Sequence, residues 1–324
     1  MTAGVDDRTL VDALVRLGVD ADWLPVHRLE VVLAVEHGDS PLDVARRHRH
    51  RESTVLAWIE AYRAAGRGAF LPLHTGPGRP RGATLAGMLS GRLTEEAWAR
   101  QTRDALGDHL RLVDAREQDP DPGWDFEIAS TAGGEGGFTV DVKLHSEPFR
   151  AAERYVGLAT DDCIPLGIYK MLVARARQRA GGSHHMYAFV FRPHLADDLL
   201  NALRGLPADE MAALGVLFRT TAERRNRQQR RAVASVVDRH VDHLLPLLDG
   251  HEFRVISTRR ATNLFLELVE TRAPMLSGRG SGFGSTINMH YSWRSEMSSW
   301  PRVLRRLDRD GLQAVLDDFT QGRV

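Results

Sequence analysis

The residues whose types and spacing could do chemistry lie in two short stretches, Trp124-Asp125-Phe126-Glu127-Ile128 and Phe138-Thr139-Val140-Asp141-Val142-Lys143. Phe138, Val140 and Val142 alternate with Thr139, Asp141 and Lys143, the period of two of a strand with two unlike faces. Asp141 and Lys143 therefore share a face. In the upstream stretch Asp125 and Glu127 share a face, opposite Trp124, Phe126 and Ile128. Between them lies Thr131-Ala132-Gly133-Gly134-Glu135-Gly136-Gly137, a glycine-rich connection able to reverse the chain. If the strands pair with those faces matched, carboxylates and one ammonium converge. Such a cluster is costly unless compensated, and a divalent cation compensates it. A lysine beside metal-bound water can orient or deprotonate a nucleophile and steady charge on a phosphate.

This arrangement resembles the PD-(D/E)xK nuclease superfamily, in which an acid on one strand is followed across a hairpin by acid, any residue, lysine. Asp125 takes the place of the first acid and Asp141-Val142-Lys143 that of the second motif; Trp124 stands where the family's proline would be. The resemblance implies catalytic Asp125, Asp141 and Lys143. It also implies a Mg²⁺ (or Mn²⁺) cofactor held by Asp125, Asp141 and the carbonyl of Val142.

The flanking elements must position these groups. Thr94-Glu95-Glu96 opens a helix that runs through Trp98 to Gly107, and His109 to Ala115 reads as a first strand. After the two acid-bearing strands, a helix is expected from about Pro165 to Ala180 and an apolar strand over Met186–Phe191. The order helix, strand, strand, strand, helix, strand is the αβββαβ core that the resemblance implies, with its acids on the second and third strands. Members of the superfamily often add an acid from the first helix. Glu96, Glu95 or Asp104 could serve, Gln101 occupies an equivalent rung, and Glu127 could substitute from the strand. His184 and His185 are strand neighbours on opposite faces and make no shared ligand set. Asp141 and Lys143 on the solvated face of an antiparallel sheet are the bland alternative.

Upstream, residues 27–37 have helical spacing. Gly38-Asp39-Ser40-Pro41 then combines a helix stop with an N-cap and a first-position proline. A short helix over 42–47, a turn at 48–51 and a longer helix over 53–65 give the outline of a helix-turn-helix. Ala45 to Arg63 is similar to the helix-turn-helix of insertion-sequence transposases, although Arg49 stands where that turn commonly has a positive-φ glycine. Four arginines and two histidines fall within residues 46–51, and phosphate contact by Arg46, Arg47, Arg49 and Arg51, with Ser53 and Thr54 at the helix mouth, is expected. A three-helix bundle without DNA contact is the alternative. Gly78-Arg79-Pro80-Arg81 sits in a Pro/Gly linker and resembles a minor-groove arm, adding Arg79 and Arg81.

Composition narrows the class. The 324 residues carry 43 basic and 43 acidic side chains, so any nucleic-acid surface must be local. Cys163 is the single cysteine, which excludes disulfide frameworks and multi-cysteine zinc sites and suits a cytoplasmic protein. No apolar run approaches about 18 residues, so no membrane partner is expected.

The expected fold class is mixed α/β. An all-α helix-turn-helix domain (1–70) is followed by a linker (71–90), a restriction-endonuclease-like core (91–195) and a mainly helical C-terminal region with a small sheet (196–324). In that last region Leu264–Val269 reads as a strand and residues 302–319 as an amphipathic helix. The expected function is a metal-dependent DNA endonuclease, with DNA as partner and with a homodimer or a partner protein of a phage-defence or transposition system alongside. The alternatives are a DNA-binding transcriptional regulator and an inactive nuclease-fold DNA-binding protein.

Overall fold

The computed structural model describes residues 9, 13, 25–65, 85–115, 124–132, 137–168, 170–171, 174–175, 178, 183–219, 226–269, 271–272, 275–276 and 287–324. The N-terminal helices are α1 (Pro25–Glu36), α2 (Pro41–Arg47) and α3 (Glu52–Ala65). Their core is small and aliphatic: Val31, Val32 and Leu33 of α1 meet Val44 and Ala45 of α2 and Val55 and Ile59 of α3.

The rest runs α4 (Leu85–Ala105), β1 (Leu110–Asp114), β2 (Phe126–Ser130), β3 (Gly137–His145), α5 (Ala152–Val156), β4 (Cys163–Gly167) and β5 (His184–Phe191). Then come α6 (Leu195–Leu203), α7 (Ala208–Arg219), α8 (Asn226–Leu244), β6 (Phe253–Ser257), α9 (Thr258–Leu268), β7 (Met275–Leu276), β8 (Ile287–Ser292), β9 (Ser298–Ser299) and α10 (Trp300–Gln321). A six-stranded mixed sheet has the order β1-β2-β3-β5-β6-β9, and a three-stranded sheet the order β4-β8-β7. β1, β2 and β3 form an antiparallel meander, while β3 and β5 run parallel.

The faces of the large sheet are covered differently. Phe126, Ile128, Phe138, Val140, Val142, Met186 and Ala188 pack against Trp98 of α4 and Trp300, Leu304 and Phe319 of α10. Trp98 stacks on Trp300 at 5.3 Å and tilts against Phe126 at 5.1 Å. On the opposite face, Tyr187, Phe189 and Ile256 meet Ile164, Leu166, Met289 and Tyr291 of the small sheet and Phe265 of α9. The other side of α4 buries Leu89 and Leu93 against α6, α7 and α8. Helix α4 is thus clamped between two cores.

Several expectations are corrected. The last six residues of the 71–90 linker are the start of α4, because Leu85, Met88 and Leu89 belong to the helical core. Residues 163–167 are a strand rather than part of the helix expected from Pro165, since Cys163 to Gly167 pair with β8; helical positions begin at Ile168. Leu264–Leu268 lies in α9 with Val269 as its C-cap, not in a strand: Ser257 caps the start of that helix by accepting the N–H of Arg260 at 3.1 Å. The C-terminal third also adds β6 and β9 to the large sheet. Among the described residues, no helix is long and apolar enough to cross a membrane.

Candidate functional site

The register of β2 on β3 sets the geometry. Phe126 pairs with Val140 and Glu127 with Thr139, so Asp125, in the bend just before β2, falls opposite Asp141. Its backbone N–H donates to the Val140 carbonyl at 2.9 Å, and its Oδ2 accepts the backbone N–H of Val142 at 2.7 Å. The first acid therefore precedes its strand rather than lying within it. On β3, the Nζ of Lys143 donates to Asp141 Oδ1 in a close ion pair and to the Val142 carbonyl at 3.3 Å. Period-two geometry brings Asp141 and Lys143 together; the bend at 124–125 swings Asp125 in from the side.

The electrostatics follow from burial. Burial and the neighbouring Asp141 charge push the Asp125 carboxyl well above the usual range, against the opposing pull of Lys143. For Asp141, burial acts upward, but the charges of Lys143 and then Lys170, together with the Lys143 hydrogen bond, outweigh it and hold its carboxyl down. Burial likewise opposes the Lys143 charge, yet Asp141 and then Asp125 raise its proton affinity. One carboxylate is firmly ionised and its neighbour resists ionisation, as expected of two acids sharing one ammonium.

Glu95 joins this cluster from α4: its charge acts on both Asp125 and Lys143. Glu95 also lies 3.9 Å from Arg92, and Glu96 is the nearer partner of that arginine. Its carboxylate pairs with Arg92 at 2.8 Å, and Arg92 also reaches Asp238 of α8 at 2.9 Å. Glu127 stands one rung from Asp141, opposite Thr139. Two further groups meet on the Asp141 face in a contact the sequence did not indicate: the Thr139 hydroxyl lies 2.7 Å from His185 Nδ1, and His185 packs edge-on against Tyr187 at 4.8 Å. The β3–β5 register puts them there by pairing Thr139 with His185 and Asp141 with Tyr187. His184 bonds instead to Gln178 at 2.9 Å, so the two histidines are divided between faces as their spacing requires.

Among the described residues, no three His, Cys, Asp or Glu side chains are grouped so as to hold a metal ion. The donors present nevertheless suit a hard cation. Asp125, Asp141 and the Val142 carbonyl are all oxygen donors, and Mg²⁺ commonly takes one or two carboxylates and keeps several waters. Burial, and after it the Asp141 charge, raise Asp125, and a divalent charge would offset both.

In the helix-turn-helix, Arg46, Arg47, Arg49, Arg51 and Ser53 are exposed and Thr54 is half-buried. Arg47 pairs with Asp39 at 2.9 Å and Arg46 with Asp43 at 3.9 Å. His50 packs edge-on against Trp58 at 4.9 Å, and Arg28 lies over the same ring at 5.2 Å. Arg79 and Arg81 lie outside the described residues.

No curated protein and no solved structure matches the chain. Residues 28–87 match a family model described as a winged helix-turn helix, which takes in α2 and α3 and ends inside α4. The N-terminal part of this chain is thus similar to winged helix-turn-helix domains, a type that binds DNA.

Proposed function

We propose that the chain is a divalent-metal-dependent DNA endonuclease, brought to its substrate by the N-terminal helix-turn-helix. The observation that carries this reading is the convergence of Asp125, Asp141 and Lys143, with the charge of Glu95 acting on the same groups from α4. A helix followed by a three-stranded antiparallel meander whose last strand pairs in parallel with β5 supports it.

Asp125, Asp141 and the Val142 carbonyl would hold Mg²⁺ or Mn²⁺. Such an ion, when bound, makes a water acidic enough to attack and offsets charge on the scissile phosphate. Lys143 orients that water and keeps a positive charge beside the phosphate oxygens as negative charge grows on them. Asp125, bonded to the Val142 N–H, fixes the peptide that joins Asp141 to Lys143. Glu95 adds a further anion that keeps Lys143 protonated. A phage-defence or mobile-element setting belongs to the same proposal.

The test is cleavage of plasmid and oligonucleotide DNA with Mg²⁺ or Mn²⁺, wild type beside Lys143→Ala and Asp141→Ala. Cutting lost in both variants, with DNA binding retained, is the expected outcome. Cutting that needs no metal, or that ignores both substitutions, would sink the assignment. A second reading, a DNA-binding protein that does not cut, is favoured by the confinement of the family match to the helix-turn-helix. It predicts tight binding and no cleavage on any substrate.

A further inference from the structure

The pairing of β2, β3 and β5 lays a second row of polar side chains beside the acids. Asp141 stands opposite Tyr187, and the next rung on the same face runs Glu127, Thr139, His185. That rung is fastened at its centre. Thr139 Oγ1 lies 2.7 Å from His185 Nδ1 and donates to the His184 carbonyl at 3.3 Å. A carbonyl only accepts, so the hydroxyl proton goes to it and the oxygen is left to accept from Nδ1. Thr139 and His185 are each 7% exposed, and Tyr187 packs edge-on against the imidazole at 4.8 Å. The ring is thus held in one orientation, with Nε2 on the side away from Thr139.

The surroundings belong to the site. Diagonal neighbours on paired strands lie within reach of aromatic and long side chains, and His185 is the diagonal neighbour of Asp141. Glu127 faces the ring's rung from β2, and Asp141 and Lys143 from β3. Lys170, in the helical segment after β4, acts with His185 on the Asp141 charge. The cleavage proposed above has a nucleophile and a cation for the phosphate, but no proton donor for the oxygen that leaves. Lys143 is tied to Asp141 and to the Val142 carbonyl, and Asp125 to the Val142 N–H.

We infer that His185 is the general acid of the reaction, a catalytic residue anchored by Thr139 that gives its Nε2 proton to the departing 3′-oxygen of the cut strand. This inference rests on the nuclease reading. Water adds to phosphorus as the P–O3′ bond breaks. The Nε2 proton passes to O3′, so one product ends in a 3′-hydroxyl and the other in a 5′-phosphate. The proton lost by the water goes to solvent, and the imidazole takes one back from solvent, so a single water is consumed.

The experiment uses the full-length chain and a duplex that the wild type cuts at a mapped bond, beside the same duplex with sulfur in place of that bridging 3′-oxygen. A thiolate leaves without needing a proton. His185→Asn keeps a polar group where Nδ1 meets Thr139 and removes Nε2. It should cut the ordinary duplex slower by about 10²-fold or more and the sulfur-bridged duplex nearly as fast as the wild type. Thr139→Val, which frees the ring from its anchor, should show a smaller defect relieved by sulfur in the same way. Lys143→Ala should be impaired on both duplexes. A His185→Asn defect of equal size on both, or no defect on the ordinary duplex, would overturn this inference and leave the nuclease reading intact. A wild type that cuts no duplex with Mg²⁺ or Mn²⁺ would overturn both.

Discussion

The Oδ2 of Asp125 accepts the backbone N–H of Val142 at 2.7 Å, so a carboxylate from the approach to β2 is fastened to the peptide between Asp141 and Lys143. Asp125 therefore has two roles that substitution can separate. Asparagine keeps an oxygen acceptor for the Val142 N–H and removes the repulsion with Asp141 that raises the Asp125 carboxyl. Asp125→Asn is expected to unfold at or above the wild-type denaturant midpoint while losing DNA cleavage. Asp125→Ala leaves the Val142 N–H without its acceptor and should lower stability by about 1–3 kcal/mol. Equal stability losses in the two variants would contradict the separation.

Lys143 is the ammonium that compensates Asp141 and Asp125. Lys143→Met leaves those acids facing one another in a mostly buried site, and loss of one partner of such a pair costs about 3–5 kcal/mol when burial is complete. Because the Lys143 side chain keeps 29% of its exposure, a loss of about 2 kcal/mol is the expectation. Adding Mg²⁺ or Mn²⁺ should restore more stability to this variant than to the wild type, since the cation then supplies the missing charge. Calorimetric titration and thermal melts with and without metal check this independently of any cleavage. No metal-dependent shift in either protein would count against a cation at this site.

The His145 and His290 rings contribute a pH dependence between about 4 and 6.5. Burial pushes both down to about 4, and His290 is lowered further by His145 and Arg272. Both rings are neutral in the folded chain over a range in which the unfolded chain would protonate them. The contribution of these two rings to stability is therefore full above about pH 6.5, declines as pH falls toward 4, and levels off below that. Each ring contributes on the order of 2 kcal/mol to that decline. Denaturant midpoints at pH 7.5 and 5 should differ markedly in the wild type and less in His290→Gln; identical pH slopes would refute the assignment.

The acid pairing was legible in the sequence because a period of two admits one arrangement of Asp141 and Lys143, and a glycine-rich connection returns the chain beside them. What was not legible depended on partners distant in the chain. Leu264–Val269 is apolar enough for a strand, and a short apolar run does not distinguish strand from helix; the cap at Ser257 decided it. Pro165 argued against a strand, yet β4 pairs with β8 alone at the edge of the small sheet, where a missing N–H is tolerated. The His185–Thr139 contact arises from the parallel register of β3 and β5, whose residues lie 46 apart in the chain.

Glu95 and Glu96 show the same limit at the site itself. Neighbouring helical residues differ by about 100° around the axis, and the sequence does not say which side of α4 meets the sheet. Packing says it: Trp98, one turn after Glu95, is buried between Phe126 and Trp300, and the Trp300 Nε1 donates to Thr102 Oγ1 at 3.0 Å. On that side the charge of Glu95 acts on Asp125 and Lys143 while its carboxylate lies 3.9 Å from Arg92, and Glu96 pairs with Arg92 more closely, at 2.8 Å. Glu95→Gln is accordingly expected to reduce cleavage by about 10²-fold or more with stability preserved. Glu96→Gln should leave cleavage near wild type and trim stability by about 0.5 kcal/mol through its pair with Arg92. Thr102→Val supplies the control for helix placement. Removing the acceptor of the buried Trp300 N–H should cost about 1–3 kcal/mol and weaken cleavage by loosening the face that presents Glu95. Parallel cleavage assays on the three variants decide the matter: activity lost in Glu96→Gln but retained in Glu95→Gln would mean that α4 presents the other rung.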